Sequence, residues 1–290
     1  MKLIKEAYYE GERPLFKRKD TQIIDTTFGK GESPLKESRN ISLNNSLFTW
    51  KYPLWYSKNI EVEDTTFESM ARSGIWYTHN IKITNSSLQA PKLFRRSSEI
   101  VLDRVHFSDA QETLWSCKDI KITNTTINGD YFGKGSQNIY LDNVDLVGNY
   151  CFDGAKNVEV HNSRFISKDA FWNCENVTIY DSKISGEYLA WNSKHIKFIN
   201  CTIESEQGLC YIDGLVLEHC KLLRTNLVFE YCKNINADII SDVISIKNPI
   251  SGKIIANSIG EIIRDDSEID SKQTFIKSRH CNLELLKEAK

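Results

Sequence analysis

The chain has 290 residues, with 37 Lys and Arg against 39 Asp and Glu and a formal net charge of −2. That balance lacks the basic footprint of a nucleic-acid binder, and no stretch approaches the roughly 20 apolar residues of a membrane span. The N-terminal MKLIKEAYYEGERPLFKRKD has no apolar signal-peptide run, so the expectation is a soluble, cytoplasmic protein with neither membrane nor nucleic acid as partner.

Along the chain the first apolar residue of each predicted strand recurs at Thr21, Ile41, Ile60, Ile81, Ile100, Ile120, Ile139, Val158, Val177, Ile196, Leu215 and Ile235, at intervals of 19 to 21 residues. Two residues after each anchor stands another apolar residue, from Ile23 and Leu43 to Phe198 and Leu217. This alternation, rich in Ile and Val, predicts a half-buried strand. Seven after the anchor runs a third apolar series, from Phe28, Phe48 and Phe67 to Ile203 and Leu222. Between them lies a polar corner such as Asn45, Asp64, Asn85 and Asn124, and a second Asn series (Asn40, Asn59, Asn80, Asn138) immediately precedes the anchor. Asn and Asp tolerate left-handed backbone and bond to neighbouring groups, which suits a corner and allows side-chain ladders. A further strand-like segment precedes each anchor, with Leu54, Ile75, Phe94, Leu114, Phe132, Phe152 and Phe171 as inward residues.

A repeat this short cannot bury its own apolar face and must be one rung of a stack. Three apolar columns separated by polar corners specify an all-β, right-handed parallel β-helix solenoid of about 12 rungs. The expected organisation is an N-terminal cap and first rung over 1–20, the β-helix over 21–239 and a C-terminal cap over 240–290, all one domain. Of the eight cysteines, Cys117, Cys174 and Cys232 each stand three residues before an anchor and show no paired metal spacing. They are read as small buried side chains.

The segments Gly11-Glu12-Arg13-Pro14-Leu15-Phe16, Lys51-Tyr52-Pro53-Leu54-Trp55-Tyr56, Gly74-Ile75-Trp76-Tyr77, Lys168-Asp169-Ala170-Phe171-Trp172-Asn173 and Lys247-Asn248-Pro249-x-Ser251-Gly252 resemble the bacterial DUF3737 family. The resemblance spans nearly the whole chain. It implies a pectin-lyase-like right-handed β-helix and no assigned catalytic residues. The paired Asp and GHG segment of polygalacturonases is absent, so polysaccharide chemistry is analogy at the level of fold.

Candidate chemistry lies on one outward column. Trp55, Trp76, Trp115, Trp172 and Trp191 stand five residues before their anchors, and Arg95 and Asp153 share that place. Just upstream runs a polar series with a basic section that includes Lys92, next to Arg95 and Arg96, and an acidic section of Glu112, Asp130, Asp169 and Glu187. Indoles beside carboxylates suit an oligo- or polysaccharide, since aromatic faces cover sugar faces and polar groups bond hydroxyls. Carboxylates on adjacent rungs have backbones ~4.8 Å apart, near the ~5 to 5.5 Å of a retaining glycosidase pair. Glu112 with Asp130, or Asp169 with Glu187, is the candidate catalytic pair. Lys92, Arg95 and Arg96 are the candidates to hold a uronate chain. Carbohydrate binding along this face is the leading reading, with a structural or protein-interaction solenoid and a polysaccharide hydrolase or polyuronate lyase as alternatives. No cofactor and no metal site is expected, except calcium under the lyase reading.

Overall fold

The computed structural model describes residues 1–280, so the last ten positions of the expected C-terminal cap, Cys281 among them, lie outside the described residues. The chain divides into two compact units, Met1–Arg164 and a second from Phe165. Each is a parallel β-solenoid. In the first, nine strands stack as rungs, from Lys2–Lys5, Lys19–Ile24 and Arg39–Asn44 to Gln137–Val147 and Lys156–His161. In the second, six stack, Glu175–Tyr180, Lys194–Ile199, Asp213–Leu222, Ile235–Ile239, Gly252–Ala256 and Thr274–Ser278. The chain thus makes about 15 turns rather than 12. The additional rungs escape the spacing because Lys2 pairs with Thr21 through an exposed first strand, while Gly252 and Thr274 occupy the places of apolar anchors. No helix among the described residues is long and apolar enough to cross a membrane.

The anchors align rung on rung: Thr21 with Ile41, Ile41 with Ile60, Ile60 with Ile81 and Ile81 with Ile100. Register holds because a slip of one residue would turn every apolar side chain to solvent. The three predicted apolar columns form the core. Ile23, Phe48, Phe67, Phe94, Phe132, Phe152, Phe171 and Phe229 are all 0% exposed, which fixes the rung as a closed triangle around side chains. The third side differs from the expected strand. Apart from Ile75–Trp76, Phe94–Arg95 and, in the second unit, the paired strands Asp242–Lys247 and Ser258–Ile263, it is a run of tight turns, with left-handed residues such as Tyr52 (φ 62°) and Tyr56 (φ 57°). Its backbone groups still find partners on the next rung, Leu35 N–H on Pro53 O at 3.0 Å and Glu37 N–H on Trp55 O at 2.8 Å, so the turns leave these polar groups satisfied.

Both Asn series take left-handed backbone, Asn45 at φ 45° and Asn59 at φ 55°. Their amides join the rungs: Asn59 Nδ2 donates to Asn40 Oδ1 at 2.8 Å and Asn143 Nδ2 to Asn124 Oδ1 at 2.9 Å. Another ladder stands three before the anchor. Ser97 Oγ accepts from Thr78 N–H at 3.1 Å and donates to Ile75 O at 2.7 Å. Cys117 takes the same place one rung on, accepting from Ser97 N–H at 3.5 Å, while its own N–H donates to Ser136 Oγ at 2.9 Å. Cysteine therefore substitutes for serine as a rung-to-rung acceptor, and burial pushes the Cys117 thiol up to about 12.

Candidate functional site

In the first unit the residues five before each anchor form one interlocked column. Trp55 and Trp76 stack with ring centroids 5.3 Å apart at 8°. The Arg95 guanidinium lies 4.8 Å from the Trp76 ring and 4.6 Å from the Trp115 ring, filling the place of an indole between them. Beyond Trp115, Lys134 Nζ stands 6.0 Å from the ring and pairs with Asp153 at 2.9 Å. The indole N–H groups are bound to the fold itself, Trp76 to Lys92 O at 2.8 Å and Trp115 to Tyr131 O at 2.7 Å, with Trp55 bonded likewise to Ser73 O. Ring faces are thus turned along the stack and covered, and the edges of the half-buried rings meet solvent.

The acidic residues sit on neighbouring rungs, since Glu112 N–H donates to Asp130 O at 2.9 Å. Their carboxylates engage in opposite directions. Glu112 Oε2 meets Lys92 Nζ at 3.2 Å and Arg95 Nη2 at 3.3 Å on the preceding rung. Asp130 Oδ1 accepts the Asn149 N–H at 2.7 Å on the following one. Lys92 and Arg95 are therefore taken up by a carboxylate within the fold, whereas Arg96 is exposed in a left-handed turn at φ 50°.

In the second unit Trp172 and Trp191 lie 6.2 Å apart at 38°, and the row continues through Tyr211 at 5.0 Å from Trp191 and Tyr231 at 5.1 Å from Tyr211. Trp172 Nε1 donates to Tyr188 O at 2.7 Å. Asp169 N–H donates to Glu187 O at 2.9 Å, so this pair also occupies neighbouring rungs, but Asp169 is only 1% exposed. Glu187 pairs with Lys168 at 3.0 Å, and that hydrogen bond with its charge holds the Lys168 ammonium above the usual lysine range.

A profile of a protein family of unknown function, DUF3737, matches residues 2–277. The chain belongs to the DUF3737 family. No curated protein matches it. Among solved structures, this DUF3737 chain is similar to PfbA, a surface adhesin of Streptococcus pneumoniae, at 12% identity over 90% of this chain and 71% of that one, with a TM-score of 0.37. It is also similar to the A-module of the Azotobacter vinelandii mannuronan C-5 epimerase AlgE4, at 11% identity over 96% and 89% with a TM-score of 0.30. A third likeness is to a tailspike protein of Escherichia coli bacteriophage HK620, at 10% identity over 89% and 62% with a TM-score of 0.36. No function is carried over from these likenesses.

Other groupings on the DUF3737 solenoid follow columns that a search for apolar residues passes over. Tyr56 stacks on Tyr77 at 4.7 Å, and Tyr131 on Tyr150 at 4.8 Å, each pair at one fixed offset from the anchor. His161 Nε2 lies 2.7 Å from Glu159 Oε1 and its ring 5.5 Å from that of Tyr140. These are outward positions one and three after the anchor, and the alternation that marks inward residues identifies them too. For Arg95, the sandwich predicts that Arg95→Ala loses about 2 kcal/mol of unfolding free energy, because two cation–π contacts and the Glu112 partner go together. Arg95→Lys should recover only part, as an ammonium lacks the flat face that fills an indole's place. Equal stability of Arg95→Ala and wild type in urea titration would sink this account.

Proposed function

We propose that this protein is a non-catalytic solenoid that binds an extended glycan through its regularly repeated outward columns. The observation that carries the reading is the state of the acidic column. Glu112 is held by Lys92 and Arg95, Asp130 by a backbone N–H, Glu187 by Lys168, and Asp169 is buried. A glycosidase needs two carboxylates facing one scissile bond, and here each accessible acid is engaged within the fold. Parallel rungs instead repeat the same polar chemistry every ~4.8 Å along an edge, which suits a polymer with its own repeating unit. The tryptophan column contributes rigidity and ring edges, since its faces are covered.

The test is a broad panel of polysaccharides offered with and without calcium, followed both for retention and for new chain ends. Retention of at least one glycan without turnover is the expected result. Turnover that Glu112→Gln or Asp169→Asn abolishes overturns the non-catalytic reading. Failure to retain any glycan overturns glycan binding.

A further inference from the structure

In the first unit the residue two before each of the first three anchors is a cation, Lys19, Arg39 and Lys58, and the series is broken further on by Ser98 and Gln137. Lys19 pairs in register with Arg39, Arg39 with Lys58, and Lys58 with His79. These side chains leave one edge of the sheet in line, one rung of ~4.8 Å apart. Lys19, Arg39 and Lys58 are exposed, and among the described residues no carboxylate reaches ion-pair distance of any of the three. The neighbours behave otherwise: Lys17 meets Glu37 at 3.5 Å and His79 meets Glu99 at 3.4 Å. Arg95 and Lys134 in the tryptophan column are likewise answered by carboxylates. Like charges at this spacing repel, so the row gains no ion-pair stabilisation of the kind its neighbours have.

The surroundings of the row are concave on both sides. One side is a cleft of about 670 Å³ lined by Lys17, Lys19, Lys36, Glu37, Arg39 and Tyr56, four cations against one carboxylate. The other is a groove of about 370 Å³ lined by Asn40, Asn59 and Asn80 next in sequence to the row, together with Glu61 and Lys82, and not by the three cations themselves. Those amides are chained at 2.8 Å and 3.0 Å from rung to rung. The Arg39 and Lys58 rungs therefore offer one cation and one amide each in fixed register, while the Lys19 rung carries Asp20 in the amide's place, its Oδ1 accepting from Asn40 Nδ2 at 2.7 Å.

We infer that the edge formed by Lys19, Arg39 and Lys58 binds a linear acidic polysaccharide. The inference rests on the reading of the protein as a glycan-binding solenoid and names the ligand class and the place. A sugar unit bearing one anionic group and several hydroxyls complements a rung bearing one cation and one amide: the anion takes charge-assisted bonds and the hydroxyls bond the amide. A nucleic acid strand fits less well, because its bases need open aromatic faces. Tyr56 stacks on Tyr77 at 4.7 Å and has Lys36 Nζ 5.7 Å from its ring, and the chain's sequence pI of about 6.3 lacks the basic footprint of such binders.

The experiment measures binding of the full chain to polygalacturonate, dextran sulfate, a neutral glucan and single-stranded DNA at low and at physiological salt. Both acidic glycans distinguish carboxylate from sulfate as the anion, and binding of either, weakened by salt, supports the site. The variant Lys19→Gln/Arg39→Gln/Lys58→Gln should lose roughly tenfold in affinity, whereas Lys183→Gln, which removes an exposed cation outside the row, should not change it. Exposed substitutions leave the core intact, and an unchanged urea midpoint verifies that the triple variant is folded. Acidic-glycan binding that the triple variant retains in full overturns this site and leaves the general reading standing. Binding of the neutral glucan alone overturns the acidic class but not glycan binding. DNA bound more tightly than either acidic glycan, in a manner that depends on the row, overturns the ligand class. Binding of none of the four overturns the inference itself, and the wider panel then decides the general reading.

Discussion

Truncation of Phe48 to alanine is expected to cost about 4 kcal/mol of unfolding free energy. The ring is 0% exposed and lies between Phe28 at 4.6 Å and 4° and Phe67 at 4.7 Å and 20°. Cavities in ordinary cores are relieved in part by movement of neighbouring elements. Here the rungs above and below are fixed by backbone bonds on the same residues' flanks, Leu47 N–H to Thr26 O at 2.9 Å and Thr49 N–H to Phe28 O at 3.0 Å on one side, Thr66 N–H to Ser46 O at 3.0 Å and Glu68 N–H to Phe48 O at 2.9 Å on the other. The gap cannot close without breaking them, so the cost belongs at the upper end of the usual range. Phe48→Leu should lose only about 1 to 1.5 kcal/mol, since Leu88 fills the same place in its own rung at 0% exposure. Urea titration gives the totals, and hydrogen exchange of the Leu47–Phe48 amides reads the local part, because stability in a solenoid is a sum over neighbouring repeats. A loss below 1.5 kcal/mol for alanine would mean that the column relaxes and the rung spacing is not rigid.

What could be read from sequence, and what could not, divides along physical lines. The three apolar columns were legible because burial repeats with the rung, and Phe48, Phe94 and Val62 each fall at a fixed distance from an anchor. The rungs beyond Ile239 were not, because Ile235, Gly252 and Thr274 pair at irregular spacing and the last two are not apolar anchors. The third side resembled a strand in its alternation, yet left-handed turns at Tyr52 and Tyr56 give the same inward residues. At the candidate site, the positions of Trp55, Trp76 and Trp115 were readable from their offset. Whether their faces were open was not, because a closed stack and an open platform share that offset. The choice was made by Arg95, whose guanidinium fits between two indoles. The cation row at Lys19, Arg39 and Lys58 was present at an equally regular offset, but apolar periodicity carries no signal for it.

A close backbone approach in the first unit gives the other large effect. Gly148 lies directly on Gly129 of the preceding rung, and a Cβ at Gly148 would stand 2.1 Å from Gly129 O and 2.5 Å from its carbonyl carbon. Neither is the end of a side chain that can swing aside. The backbones would have to separate, which weakens the bonds from Gly129 N–H to Val147 O at 2.9 Å and from Tyr131 N–H to Asn149 O at 2.8 Å. Gly148→Ala is therefore expected to lose about 3 kcal/mol or more, in the class of substitutions that force strain on a fixed backbone. Gly154 supplies the comparison. It has φ +70° but nothing within 4 Å of its would-be Cβ, so Gly154→Ala meets only the left-handed penalty of roughly 1 to 2 kcal/mol. Gly148 has φ +156°, which L side chains also rarely adopt, so Gly154→Ala reads a backbone penalty alone while Gly148→Ala reads a backbone penalty with the contact between rungs added. Equal losses in denaturant titration would show that backbone strain alone governs both glycines, and the rung-to-rung contact at Gly129 would then carry no cost of its own.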